Sequence, residues 1–225
     1  MTDPHADPAA FILDNTEAIA PPLVPEIRLR LATKITPIWE STETWLAEAG
    51  VPPPFWAFCW PGGQALARYV LDQPETVRGK RVLDLAAGSG VAVIAAARAG
   101  AIATANDIDA MAQAAIGLNA ALNGVAVSVA AGDLVGAPAD GWDVVLAGDV
   151  CYEKTPAERI TGWLRDLAAA GSLVLLADPG RAYVPTRGLK PVAHYRVPTS
   201  RELEDREQRE TTIWRLDPSE ARRSV

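Results

Sequence analysis

Cysteine and histidine are scarce in this chain, which contains two of each among 225 residues. Cys59 and Cys151 cannot build the disulfide framework of a small secreted domain. No cysteine or histidine cluster has the spacing of a zinc site. The sequence therefore predicts a protein of a reducing compartment that binds no metal.

Positive charge and long apolar runs are also lacking. The chain has 21 Lys and Arg residues against 28 Asp and Glu residues, a net charge of −7. This balance argues against a protein held to nucleic acid by phosphate neutralisation alone. No apolar stretch approaches the ~18 residues that a membrane span needs. The first 22 residues contain no Lys or Arg and resemble neither a secretory signal nor a transit peptide. We expect a soluble, cytoplasmic protein without a membrane or nucleic acid partner.

The length and an apolar fraction of 49% suit a single domain with a full core. Residues 1–22 are rich in alanine, proline and aspartate, and we predict a flexible tail there. Residues 23–225 are predicted to form one domain, with a helical and aromatic lead-in over 23–75 and a ligand-binding core over 80–216. Three helices are predicted in the lead-in, near 25–32, over 37–49, and after Pro61-Gly62-Gly63.

Strands and helices alternate through the core. The predicted strands are 81–85, 101–106, 125–130, 142–147 and 172–177, and the predicted helices are 91–99, 109–123 and 156–170. This alternation predicts an α/β protein with a Rossmann-like, doubly wound, mostly parallel sheet of seven strands. The last two strands, 192–197 and 211–216, lack a helix of ordinary length between them, so we expect an antiparallel pair at the C-terminal edge. The charge run over 201–210 is predicted to be a solvated face.

A glycine loop follows the first core strand. Its sequence is Ala86-Ala87-Gly88-Ser89-Gly90, and its backbone can approach a ligand closely at the carboxyl edge of the sheet. A tight turn without a ligand is the alternative. A dinucleotide site requires a small residue three places after the second glycine, where this chain has Val93. Asp84, at the end of the strand, also sets negative charge beside any diphosphate.

The same negative charge suits a cationic ligand. S-adenosylmethionine carries an ammonium and a sulfonium group and no phosphate, so the loop favours a methyl donor over NAD. We predict that Asp84, Ala86, Gly88 and Gly90 form part of its binding site.

Two more acidic residues follow the next strands. Asp107 lies 17 residues after Gly90 and is predicted to accept both ribose hydroxyl protons. The alternative role for an acid here is to cap the following helix, and we assign that role to Asp109. Asp133, after the third strand, is a candidate partner for the adenine amino group, although a plain turn explains it equally well.

Further blocks of sequence complete a pattern. They are Trp60-Pro61-Gly62-Gly63-Gln64, Ala105-Asn106-Asp107-Ile108-Asp109, Asp149-Val150-Cys151-Tyr152 and Asp178-Pro179-Gly180-Arg181. With the glycine loop, they make the chain resemble the seven-strand (class I) S-adenosylmethionine-dependent methyltransferases. Within that class it is similar to the electron-transfer flavoprotein β-subunit lysine methyltransferases. The resemblance covers about residues 23–216.

The resemblance implies a protein-lysine N-methyltransferase that uses S-adenosylmethionine and acts on the electron-transfer flavoprotein β subunit. It makes Asp149 and Tyr152 candidate catalytic residues: Asp149 would orient the incoming ammonium group, and Tyr152 would hydrogen-bond or face the amine. A helix cap and a core tyrosine are the alternatives. Trp60 would cover the donor, unless it belongs to the core.

Residues of the similar block Pro54-Phe55-Trp56-Ala57 and of Asp178-Pro179-Gly180-Arg181 are candidate substrate contacts. Phe55 and Trp56 would line a lysine channel, although such aromatics are more often core residues. Arg181 would contact the protein substrate or pair with an acid. Cys151 has no histidine base beside it and is predicted to be a packing residue.

Two alternatives stay open. The family loop usually has glycine where this chain has Ala86, which predicts reduced donor affinity or, in the extreme, a catalytically silent binding module. The acceptor is alternatively a ribosomal-protein lysine, a small amine or a nucleobase. Family members occur in mitochondria and bacteria, and the lack of a transit peptide predicts a bacterial, cytoplasmic protein. We expect a monomer.

Overall fold

The computed structural model describes residues 7–33, 53–139, 141–199 and 204–218. Its helices are α1 (Pro8–Asn15), α2 (Pro61–Asp72), α3 (Val91–Arg98), α4 (Ala110–Leu122) and α5 (Lys154–Ala169). Its strands are β1 (Glu17–Ile19), β2 (Leu29–Leu31), β3 (Arg81–Leu85), β4 (Ile102–Asp107), β5 (Ser128–Ala131), β6 (Val144–Gly148), β7 (Leu173–Asp178), β8 (Leu189–Pro198) and β9 (Gln208–Leu216). Within these ranges no helix is long and apolar enough to span a bilayer.

Seven of these strands form one sheet in the order β5-β4-β3-β6-β7-β9-β8. The five strands from β3 to β7 pair in parallel. Strand β9 runs antiparallel between β7 and β8. The predicted α/β class and the antiparallel C-terminal pair are therefore confirmed. The strand order reverses between β3 and β6, and an open parallel sheet binds ligands at the carboxyl ends of the strands beside such a point.

Strand β6 illustrates how both faces of the sheet are covered. Val144 and Leu146 join a core cluster with residues of α2 and α3, whereas Val145 and Ala147 join another with residues of α5. All four side chains are fully buried. Successive strand residues point to opposite faces, so a strand buried on both sides reads as a continuous apolar run. This is the pattern that made the central strands predictable.

The N-terminal segment differs from its prediction. Residues 8–15 form helix α1, which Asp7 caps by accepting a hydrogen bond from the Ala10 amide at 3.0 Å. Phe11 and Ile12 are buried in a cluster with Trp56. The prediction of a flexible tail over residues 1–22 was therefore wrong for the part that the structure describes. Phe11 and Ile12 pack in a cluster with Trp56, and the composition of the segment does not predict this contact.

Residues near 25–32 also differ, because they contain strand β2 where a helix was predicted. Strand β2 pairs antiparallel with β1. Its backbone is held by helix α4: the Arg30 amide donates to Asn119 Oδ1 at 2.7 Å, and the Arg28 amide donates to Asn123 Oδ1 at 3.0 Å. These long-range hydrogen bonds favour the extended chain. The helix predicted over 37–49 lies outside the described residues.

Helix α2 packs its first turn against the ends of β6 and β7, and two glycines allow this approach. A Cβ atom on Gly62 would lie 2.5 Å from the carbonyl oxygen of Ala177. One on Gly148 would lie 2.8 Å from the amide nitrogen of Gly63. Both distances are shorter than real contacts, so only glycine fits at these positions.

Asp84 holds the first turn of helix α3 by a hydrogen bond. Its carboxylate accepts a hydrogen bond from the Val93 amide at 3.0 Å, in the first turn of that helix. The side chain is buried, and burial raises its pKa from 3.8 to about 7, with a further contribution from the nearby negative charge of Asp107. The fold therefore carries a carboxyl group that takes up a proton near neutral pH.

Substitution of Gly62 tests the close packing of α2. Gly62→Ala is expected to lower the free energy of unfolding by about 2–3 kcal/mol, because the new methyl group meets backbone atoms that cannot move aside. Gly117→Ala in helix α4 is the matched control, since a Cβ there meets no atom within 4 Å. Alanine should raise helix stability there by ~0.5–1 kcal/mol. Urea denaturation followed by circular dichroism measures both, and equal effects would contradict the packing.

The pH dependence of stability tests the burial of Asp84. The folded state keeps the Asp84 proton up to about pH 7, while the unfolded chain loses it near its ordinary pKa of 3.8. The free energy of unfolding therefore falls as pH rises through this interval. Asp84→Asn keeps the acceptor for the Val93 amide and removes the titration. The difference in free energy of unfolding between Asp84→Asn and wild type should therefore be a few kcal/mol (order of magnitude) more favourable to the variant at pH 8 than at pH 5.

Urea denaturation at both pH values gives this difference, with Asp166→Asn on exposed α5 surface as the control. If Asp84→Asn followed the wild-type pH dependence, Asp84 would not be the buried titrating group.

Candidate active site

The predicted site residues gather at the carboxyl edge of the sheet. The glycine loop follows β3, Asp107 ends β4, Asp149 follows β6, and Arg181 follows β7. Because these strands are parallel neighbours, their carboxyl ends meet at one edge. Trp60, which precedes α2, reaches the same place: its ring centroid lies 5.9 Å from Arg181 Cζ.

The glycine loop is held by hydrogen bonds with the neighbouring strand β4 and with helix α4. The Gly88 amide donates to Asp107 Oδ2 at 2.9 Å. The side-chain amide of Asn119 donates to the Ser89 carbonyl at 2.9 Å. Gly88 and Gly90 have φ angles of 52° and 79°, in the left-handed region that glycine tolerates best. These hydrogen bonds fix the conformation of the loop, and its backbone lies at the carboxyl edge of the sheet.

Ala86 also has a left-handed backbone, with φ of 53°, and it is exposed. An L-residue in this conformation costs ~1–2 kcal/mol relative to glycine. This strain explains why a glycine suits the position better. Because Ala86 is exposed, its methyl group is not needed for packing.

Asp107 ties the glycine loop to the turn before α4. One carboxylate oxygen accepts from the Gly88 amide and the other from the Asp109 amide at 3.0 Å. Asp109 accepts from the Met111 amide at 2.9 Å and caps helix α4, as predicted. Burial raises the pKa of Asp107, and its backbone donors oppose that shift.

Asp133 is an exposed turn residue. Its carboxylate accepts from the Val135 amide at 2.9 Å and pairs with Arg159 at 2.6 Å. The hydrogen bond from Arg159 lowers the pKa of Asp133. Asp133 thus stabilises its own turn, which is the alternative role that the sequence left open for it.

Asp149 is a buried carboxylate at the N-terminus of helix α2. It accepts from the Gly63 amide at 3.0 Å and from Arg181 Nη1 at 2.6 Å. Burial raises its pKa to about 6, while the positive charge of Arg181 lowers it. Its own backbone is left-handed, with φ of 60°. Strain of this kind in a non-glycine residue clusters at functional sites.

Arg181 joins the acids around Asp149. Besides Asp149, it pairs with Glu204 through Nη2 at 2.6 Å and approaches Asp178 at 3.6 Å. The predicted pairing of Arg181 with an acid is confirmed. Glu204 was missed, because it stands in the charge run predicted to be solvated, yet its side chain is only 6% exposed. No local pattern distinguishes it from its exposed neighbours.

The aromatic rings of Phe55, Trp60 and Tyr152 form a wall beside Arg181, which pairs with Asp149. The Phe55 ring lies 5.9 Å from that of Trp60 and 5.6 Å from that of Tyr152. Trp60 is fixed by a hydrogen bond from Nε1 to the Phe55 carbonyl. Tyr152 remains 48% exposed. Trp56 is only 2% exposed and packs in the core, which corrects the prediction that it lines the channel.

The charges of this site do not balance. In the described part of the chain, the carboxylates of Asp149, Asp178 and Glu204 are linked by the guanidinium groups of Arg181 and Arg209. When all three carboxyl groups are ionised, three negative groups face two positive ones, so one negative charge is left over. Asp178 Oδ2 is buried without a hydrogen-bond donor. The arrangement can therefore accept a further cation next to an aromatic wall.

Two sequence predictions concern cysteine and metals. Cys151 is fully buried in the core under β6, so its predicted packing role is confirmed. Among the residues that the structure describes, no group of three or more histidine, cysteine, aspartate or glutamate side chains is arranged to hold a metal ion.

Comparison with solved structures supports the fold. The magnesium protoporphyrin IX methyltransferase of Synechocystis PCC 6803, solved with S-adenosylhomocysteine bound, superposes with a TM-score of 0.51 at 17% identity. The match covers 69% of this chain and 81% of that one. At this identity the likeness shows the fold alone.

Comparison of sequences identifies the family. Residues 64–149 match the family model described as ribosomal protein L11 methyltransferase. The electron transfer flavoprotein beta subunit lysine methyltransferase of Xenopus laevis is 41% identical, over 94% of this chain and 87% of the relative. The protein of that name from Homo sapiens is 37% identical, over 93% of this chain and 82% of the relative. The chain therefore belongs to the electron transfer flavoprotein beta subunit lysine methyltransferase family.

Proposed function

We propose that this protein transfers a methyl group from S-adenosylmethionine to lysine side chains of the electron-transfer flavoprotein β subunit. The observation that carries the proposal is the unbalanced carboxylate cluster around Asp149, set beside the rings of Phe55, Trp60 and Tyr152. A lysine ammonium group is the cation that such a site suits, since carboxylates and aromatic faces both attract it. Family membership and the names of the full-length relatives support the same substrate.

The donor fits the glycine-loop side of the crevice. Asp84 and Asp107 flank the loop, and their mutual repulsion contributes to the raised pKa of Asp84. A sulfonium and an ammonium group would relieve this repulsion, whereas a diphosphate would add to it. We assign the donor to Trp60, Asp84, Ala86, Gly88, Gly90 and Asp107, with Asp133 as a weaker member. When bound there, S-adenosylmethionine supplies an electrophilic methyl group on sulfur.

The role of Asp149 is to receive and orient the lysine ammonium group. A free lysine has a pKa of ~10.4, and a group with a pKa near 6 is a poor base for it. The carboxylate instead holds the nitrogen by charge and hydrogen bonding, while the rings exclude water. Exclusion of water lowers the lysine pKa and so helps proton loss to solvent. Most of the catalysis then comes from positioning and desolvation.

The proposed role of Asp149 requires its carboxylate to be ionised at the pH at which the enzyme works. Its pKa of about 6 leaves it charged at pH 8 and protonated in mild acid. Tyr152, half exposed beside Phe55, is placed to face an incoming side chain. We retain Arg181 and Phe55 as substrate contacts. Trp56 is not retained, since it is buried in the core.

A ribosomal-protein lysine is the second candidate acceptor. The match of residues 64–149 to the ribosomal protein L11 methyltransferase model favours it. That range spans the glycine loop and Asp149 but none of Phe55, Trp60, Tyr152 and Arg181. The full-length relatives, in contrast, match on both sides of this range. We therefore rank the flavoprotein subunit first.

The remaining assignments belong to the same proposal. We propose a monomer with one methyltransferase domain, which includes α1 and β1 as well as the predicted range 23–225, no nucleic acid partner, and a cytoplasmic location in a bacterium. Ala86 is the one feature that favours a silent binding module, through the strain of its backbone.

An acceptor assay tests the proposed substrate. We expect purified electron-transfer flavoprotein to incorporate radiolabelled methyl groups on its β subunit, with mass spectrometry placing them on lysines. Purified ribosomal protein L11 serves as the rival acceptor, and calorimetry with S-adenosylhomocysteine reports donor binding independently. Labelling of L11 alone would overturn the substrate assignment. Absence of donor binding would favour the silent module.

Substitution of Asp149 tests its role in lysine binding. Asp149→Asn preserves the acceptor for the Gly63 amide and tolerates a left-handed backbone, but it removes the charge. We expect methyl transfer to fall by ~10²-fold or more, the loss typical of removing a key charged group, with affinity for S-adenosylhomocysteine within a few-fold of wild type. Asp166→Asn, an exposed helix position, should leave both unchanged. Full transfer activity in Asp149→Asn would refute the assigned role.

A further inference from the structure

Glu204 is a buried acid in a segment whose neighbours are exposed. Residues 205–208 are exposed, whereas the Glu204 side chain is 6% exposed. Its two carboxylate oxygens have different partners: Oε1 accepts from Arg181 at 2.6 Å, and Oε2 accepts from Arg209 at 2.8 Å. The Glu204 carboxylate is removed from water and is compensated by two guanidinium groups, so it has a defined electrostatic role.

Arg181 stands between two acids at equal distance. Its Nη1 donates to Asp149 Oδ1 and its Nη2 donates to Glu204 Oε1, both at 2.6 Å. Its Cζ atom lies 5.9 Å from the centroid of the Trp60 ring. Because one positive charge serves both carboxylates, its hold on Asp149 is weaker than in an isolated pair.

This position brings Arg181 into competition with the substrate. Asp149 Oδ2 already accepts from the Gly63 amide, and Oδ1 accepts from Arg181. An incoming ammonium group must therefore share the Asp149 carboxylate with the resident guanidinium. How firmly Arg181 pairs with Asp149 sets the cost of that sharing.

We propose that Glu204 is a positioning residue for the acceptor: it divides the charge of Arg181 between two acids, so that a lysine ammonium group can share the carboxylate of Asp149. Arg209 neutralises the other side of Glu204 and sets how strongly Glu204 draws on Arg181. Glu204 lies between β8 and β9, and Arg209 lies in β9. This edge of the sheet thereby contributes to acceptor binding. This inference rests on the proposed function for the identity of the incoming cation.

The other groups that face Asp149 do not change in the test that follows. They come from each element around it: Asp178 at the end of β7 and Arg181 after it, the Gly63 amide of α2, and the thiols of Cys59 and Cys151. Burial raises the pKa of both thiols far above neutrality, so they stay uncharged. Replacement of Glu204 thus alters one charge in the network.

Glu204→Gln removes that charge and keeps an oxygen acceptor for Arg181. Arg181 should then pair more exclusively with Asp149, and the KM for the methyl-accepting protein should rise ~10-fold, with the KM for S-adenosylmethionine and kcat within about threefold of wild type. Asp205→Asn is the matched control, because it makes the same charge change at the exposed neighbouring position. It should leave all three constants unchanged.

A second measurement does not depend on any acceptor. NMR titration of the Asp149 side-chain carboxyl carbon should give a lower pKa in Glu204→Gln than in wild type, because a negative charge is lost and Arg181 is no longer shared with an ionised Glu204. Arg209→Gln should raise the same pKa, because Glu204 then draws more strongly on Arg181. This variant also keeps the test available if Glu204→Gln does not fold.

Opposite shifts of the Asp149 pKa, with acceptor KM raised in Glu204→Gln alone, support the proposal. An unchanged Asp149 pKa in both variants, or an acceptor KM equal to that of Asp205→Asn, overturns it. If the pKa shifts are found while wild-type protein methylates neither flavoprotein nor L11, the positioning of Asp149 by Glu204 stands and the proposed function fails. The two failures are therefore distinguishable.

Discussion

The contact between the N-terminus of helix α2 and the carboxyl end of β6 is the constraint on which the site depends. Gly62 and Gly148 let two backbones meet at distances that no side chain would allow. The Gly63 amide then donates to Asp149, which follows β6 in a left-handed conformation. Trp60, immediately before the helix, is carried to the same place. One close approach of backbone thus brings together a carboxylate, a helix N-terminus and an aromatic ring.

Buried carboxylates give the crevice its chemical character. Asp84 and Asp107 lie on the glycine-loop side, and Asp149, Asp178 and Glu204 on the other. Burial raises the pKa of the four aspartates, because the charged form loses water. In a low-dielectric setting, uncompensated negative charge favours cations and disfavours phosphates. The same physical feature therefore suits a sulfonium donor at one end and an ammonium acceptor at the other.

The two halves of the site also differ in how far they are shared with other methyltransferases. Residues 64–149, which match the ribosomal protein L11 methyltransferase model, contain the glycine loop, Asp107 and Asp149. The rings and the guanidinium that surround Asp149 all come from outside this range. A shared half of this kind suits a common donor, and the flanking segments suit a different acceptor.

The sequence by itself determined the alternation of strands and helices, the glycine loop after β3, and the blocks that contain Asp107, Asp149 and Arg181. These features depend on local properties, namely side-chain periodicity, turn chemistry and the order of parallel strands, so they can be recognised without knowing what lies opposite. Only the tertiary structure decided that Phe11 and Ile12 hold a helix against the core, that residues 29–31 are a strand, that Trp56 is buried, and that Glu204 pairs with Arg181. Each of these depends on partners far along the chain. Burial and pairing belong to such partners jointly, and a local pattern contains only one of them.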